Sequence, residues 1–151
     1  MPELSPEQQE LEVQRIVCSQ EIGALRWEEI RAQQAIEKGK KPLPETRYRG
    51  ILSAEEAQIV RDILLDASHR IDEINRQFMI LNDEVHEHYS VELAARRDAL
   101  NSQRPQILDQ AVMDLKSSIG EDAFDRLTKA RYPVSEYSER TKPDPRKDPN
   151  N

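Results

Sequence analysis

Between Ala57 and Val85 the apolar residues fall at alternating steps of three and four: Ala57, Val60, Leu64, Ala67, Ile71, Ile74, Phe78, Leu81 and Val85. A strand would place them at every second position, so the spacing requires a helix. It is also a heptad repeat, whose narrow stripe must be covered by a second helix to form a left-handed supercoiled seam. Ser53 and Glu56 open the segment as a capping box, with Leu52 and Ala57 placed as a hydrophobic staple. At ~1.5 Å per residue, a helix from Ala54 to about His88 would be roughly 50 Å long. Ile63, Met79 and Ile80 lie outside the strict seam and broaden the apolar face.

Composition favours an elongated object over a sphere. With 36% hydrophobic, 5% aromatic and 34% charged residues, there is little apolar material to fill a compact interior. Four glycines and nine prolines, most of the latter in connectors and the tail, leave the remainder free to run as long helices. The expected fold is all-α: an elongated antiparallel helical hairpin or bundle of three long helices plus one short C-terminal helix, followed by a disordered Pro-rich tail.

The boundaries come from local punctuation. Residues 1–38 read as an N-terminal helix, opened by Ser5, Pro6 and Gln8 as a second capping box with proline at the first helical position. Gly23 inside it marks a close backbone approach or a weak point. Residues 39–50 form a basic Pro/Gly linker in which Lys40, Lys41, Arg47 and Arg49 face only Glu45. It is either a solvated connector or a strap lying on the next helix, where ten Asp or Glu stand against Arg61, Arg70 and Arg76 between Ser53 and Glu92. Residues 51–132 make a helical hairpin with a short closing helix after Gly120, which packs Phe124 and Leu127 back on the bundle. Pro105 removes a backbone donor and crowds Asn101, predicting a kink or break near Ser102–Pro105. Residues 133–151, with prolines recurring and no large apolar side chain after Tyr137, have the composition of a disordered tail.

Charge and motif content narrow the function. A formal charge of −7 disfavours non-specific binding to nucleic acid or anionic lipid, and Arg96 and Arg97 lack the interleaved aromatics of a nucleic-acid surface. No eighteen-residue apolar run predicts a transmembrane segment. The N-terminus has no basic and apolar leader pattern, which places the chain in the cytoplasm as written, or in the periplasm if a signal peptide has been removed. Cys18 is a single cysteine on an apolar helix face, where packing is expected rather than reactivity. With neither a phosphate loop nor a serine elbow, the sequence predicts no enzyme and no cofactor. Glu84 and His88, at i and i+4, are weak candidates for a metal site that would need a third ligand from another helix.

What remains is surface. A hairpin closes its own seam, but Trp27, Ile30, Ile63, Met79 and Ile80 exceed what the seam uses; with Phe78 they are the candidate partner-binding or oligomer surface. The expected function is a non-catalytic helical protein–protein interaction protein, a subunit, adaptor or scaffold that binds a protein partner or itself.

Leu4-Ser5-Pro6-Glu7-Gln8 and Leu52-Ser53-Ala54-Glu55-Glu56 resemble the LTXXQ signature of bacterial periplasmic stress proteins of the Spy and CpxP type, and "SIGEDAFDRL" stands where such proteins carry a closing turn and short helix. The resemblance covers Ile51 to about Tyr132. It implies a small all-α protein with a long bent hairpin that dimerises into a cradle, acting as an ATP-independent chaperone or a stress or metal sensor. Glutamate stands for the final glutamine in the second copy, and the third lacks both the hydroxyl residue and the glutamine.

Overall fold

The computed structural model describes residues 4–43 and 45–132. They form four helices, α1 (Pro6–Glu37), α2 (Ala54–Glu87), α3 (Val91–Ile119) and α4 (Glu121–Arg131), with no strand among the described residues. The fold is all-α, as the heptad and composition require. The Pro-rich tail lies outside the described residues.

Both capping boxes close. Ser5 Oγ accepts from the Gln8 amide at 3.2 Å while Gln8 Oε1 accepts from the Ser5 amide at 3.0 Å. Ser53 and Glu56 exchange the same pair at 3.0 and 2.9 Å. Each box satisfies two backbone donors that would otherwise be orphaned at a helix start. Gly120 ends α3 and starts α4 with φ of 89°, a conformation that a residue with a Cβ rarely adopts, so the chain turns there without a longer loop.

The α2–α3 hairpin is the spine. Its helices run antiparallel: Arg97 donates to Asn82 Oδ1 at 3.1 Å, and the Arg104 guanidinium lies 5.1 Å from the centre of the Phe78 ring. α1 packs beside α2, with Arg26 paired to Asp72 and Glu29 near His69. The linker doubles back along α1 before α2 begins, because Arg47 pairs with Glu21, sixteen residues before the end of α1. α4 closes the same end: Arg126 donates to the Ile51 carbonyl at 3.2 Å and approaches Glu56 at 3.4 Å. Arg15 of α1 makes a two-pronged ion pair with Asp109 of α3.

The main core sits where all four helices meet, around Val17, Leu25, Val60, Leu64, Leu115 and Phe124. No residue of α1 beyond Leu25 is buried, so its contribution to the core ends there. The far half of the hairpin has a single buried stripe, Ile74 and Val85, with Phe78 and Leu81 half-buried.

Two expectations need correction in part. Of the kink or break expected near Ser102–Pro105, the break does not occur: α3 continues as one helix through Pro105 from Val91 to Ile119. The proline removes one amide, but Pro105 and Asn101 are both exposed, so water reaches the freed carbonyl, while Arg97 and Arg104 hold the helix to α2. Gly23 is no close approach, since a Cβ built there meets nothing within 4 Å. Gly23→Ala is accordingly expected to raise the unfolding free energy by about 0.5–1 kcal/mol, by removing backbone freedom from the unfolded chain. Paired urea melts check it, and a loss of stability would show that the position needs its glycine.

Candidate interaction surface

The sequence-derived surface residues divide by helix and by depth. Ile63 packs against the core, and Phe78 is half-buried beneath Arg104, so neither stands free. Trp27 is 62% exposed and Ile30 41%, both on the part of α1 that lies past its last buried residue. Met79 and Ile80 are 65% and 55% exposed on the far half of α2. Tyr89 and Val91 extend the exposed apolar set around the hairpin turn. From Gln77 to Ser90 the chain itself carries Asp83, Glu84 and Glu87 and no lysine or arginine, while α3 brings Arg97 to Asn82 and Arg104 to Phe78 on the side it covers.

The metal candidates stand at the end of α2. α2 ends at Glu87; His88 is its C-cap, whose amide still donates to the Glu84 carbonyl at 2.7 Å while its own φ of −138° and ψ of 80° are no longer helical. No group of three or more His, Cys, Asp or Glu suited to a metal ion occurs among the described residues. His69 points to solvent and lies 3.7 Å from Glu29.

A polar cluster that sequence reasoning missed lies at the other end. Glu21 of α1 is fully buried, with Arg47 of the linker and Arg131 of α4 both on its carboxylate; Arg131 Nε donates to Oε1 at 3.0 Å. Arg131 also donates to the Arg47 carbonyl at 2.7 Å. Tyr48, buried between α1 and α2, has the guanidiniums of Arg61 and Arg131 at 5.1 and 5.6 Å from its ring centre. Two cations on one ring, each within cation–π range, are tolerable only because carboxylates neutralise them. The linker is thus solvated over residues 38–43 but packed from Arg47 to Leu52. Its contact with α2 reverses the sign expected: the linker supplies the acid, Glu45, and α2 the base, Arg61, at 3.0 Å.

No family model matches the chain, and no curated protein or solved structure is detectably similar to it.

Burial dominates the titration of this end. Cys18 is buried on α1, one turn from Glu21; loss of water, then the Glu21 charge, pushes its thiol up to about 12. Burial likewise raises the Tyr48 hydroxyl, with Glu21 adding to the effect and the arginines opposing it. A neutral thiol held above its unfolded pKa stabilises the fold fully below that unfolded value and loses the contribution as pH rises toward 12. Between pH 9 and 11 Cys18 is therefore expected to remove about 2 kcal/mol. Urea melts of the native chain and Cys18→Ala across this range should diverge by that amount; parallel losses would mean that the thiol does not stay protonated. In the native state Cys18 should resist thiol reagents until the chain unfolds.

Proposed function

We propose that the protein is a non-catalytic interaction subunit, adaptor or scaffold in which α1 and α4 brace one end of the α2–α3 hairpin and the far half docks on a protein partner. The observation that carries this is the exposure of the adjacent Met79 and Ile80 on a helix whose seam is already occupied by α3. Adjacent residues on a helix are about 100° apart, so the pair widens the apolar face beyond what one neighbouring helix can cover. The exposed Asp83, Glu84 and Glu87 on the α2 side of this surface favour a partner with an amphipathic helix that carries basic residues along that edge. No helix among the described residues is long and apolar enough to cross a membrane.

The test compares the native chain with Met79→Glu/Ile80→Glu, each purified by affinity from its native source with quantitative mass spectrometry of what accompanies it. Both side chains face solvent, so the variant should keep its circular dichroism and melting temperature. One or two stoichiometric companions, lost at least tenfold in the variant, are expected. A broad substoichiometric mixture would instead favour a client-binding chaperone of the Spy type, and companions indifferent to the substitutions would remove the hairpin from the proposal.

A further inference from the structure

Arg61 is only 8% exposed, and its charge is matched differently from those of the other two arginines around Tyr48. Arg47 and Arg131 share the buried Glu21. The anion paired with Arg61 is Glu45, a linker residue whose side chain is 61% exposed, held through Nη1 at 3.0 Å. The Arg61 Nε is buried and finds no hydrogen-bond partner among the described residues. A buried guanidinium normally has its donors satisfied and its charge compensated, because the alternative is a large desolvation penalty. Here the compensation comes from a carboxylate that water already surrounds.

Arg61 forms part of the wall of a concavity of about 430 Å³ between the linker turn and the first turns of α2, lined also by Glu45, Tyr48, Arg49, Ser53 and Gln58. This volume is within the range of small-ligand sites. Its formal charges are those of Arg49 and Arg61 against Glu45, so removing Glu45 from Arg61 leaves two cations facing the space. We propose that this concavity binds a carboxylate-bearing ligand on Arg61 and that Glu45 is an internal stand-in for it, displaced when the ligand arrives. Arg49 supplies the second cation, and the Tyr48 ring holds the Arg61 guanidinium in place from behind. A carboxylate fits better than a phosphate. The anion already held on Arg61 is a carboxylate, and the capping box at the start of α2 ties up the Ser53 and Glu56 amides and sets the Glu56 carboxylate at the helix start, which opposes a phosphate dianion more than a singly charged carboxylate. The site is independent of the far hairpin surface.

The test is a titration of the isotopically labelled full chain with succinate at constant ionic strength, followed by amide and arginine Nε–H resonances. The native chain and Glu45→Gln are compared, with sodium chloride and inorganic phosphate as controls. Saturable shifts are expected at Arg49, Gly50, Ser53 and the Arg61 Nε–H. Glu45→Gln should tighten binding about two- to five-fold, the range corresponding to loss of one exposed competing ion pair. Arg61→Lys should weaken it at least tenfold, since an ammonium cannot present the planar fork; should that variant misfold, Glu45→Gln still decides. A short alanine peptide with a free or an amidated C-terminus separates the sources: binding of the free form alone identifies a chain end, and binding of succinate alone a small acid. Shifts no larger than those from sodium chloride in Glu45→Gln, or phosphate binding at least as tightly as succinate, would overturn the proposal.

Discussion

Glu21→Ala is expected to lower the unfolding free energy by about 3 kcal/mol, the lower end of the cost of breaking a buried ion pair. The Glu21 side chain is 1% exposed, whereas those of Arg47 and Arg131 are 25% and 21% exposed, so the stranded cations can turn partly to water. The loss should be focused, because Glu21 is where α1, the linker and α4 meet. Hydrogen exchange should show the amides of Arg49, Ile51 and Leu52, which close the linker turn on Thr46 and Tyr48, losing protection before those of the hairpin. A double-mutant cycle of Glu21→Ala with Arg131→Ala should give a coupling above about 1 kcal/mol, as for side chains in one network. A Glu21→Ala cost below about 1 kcal/mol would mean that the cluster does not tie these elements together. Filling the same space with Glu21→Leu, Arg47→Met and Arg131→Met together should recover much of the loss, because the charges are removed along with their desolvation.

Leu64→Ala is expected to cost about 3–5 kcal/mol, since Leu64 has no exposed surface and sits where the helices converge, leaving a cavity that few neighbours can collapse into. Phe78→Ala, two heptads further along the same seam, should cost less than half as much despite the larger side chain. Phe78 is half-buried and covered only by α3, so much of the vacated space opens to solvent. Urea denaturation followed by far-ultraviolet circular dichroism measures both. Equal costs would show that the far hairpin carries as much packing energy as the braced end.

The seam read from Ala57 to Val85 contains both positions, and nothing in its spacing separates them. A heptad specifies which side of a helix turns inward; it does not specify how many helices cover that side. The division follows from α1, which contributes no buried residue after Leu25 and so leaves the far half of the hairpin with one layer of cover. The same limit accounts for Ile63, which local periodicity placed outside the strict seam but which tertiary packing brings against the core. Pro105 shows the converse: a strong local signal for a break is overruled because its cost falls on an exposed carbonyl while α2 supports both flanks.

The starts of α1 and α2, the all-helical class and the inward face of α2 were determined by sequence alone, because capping boxes and heptads act over three to seven residues and their physics is complete within that span. The Glu21 cluster was decided only by tertiary structure. Glu21 is one of 29 carboxylates, and its partners lie 26 and 110 residues away in the chain, in a linker whose prolines and glycines mark it as a connector and at the end of the last helix. No local rule joins those positions. They meet because the linker doubles back along α1 and α4 folds over the same end, and a carboxylate removed from water there must take its partners from whichever elements packing has brought within reach.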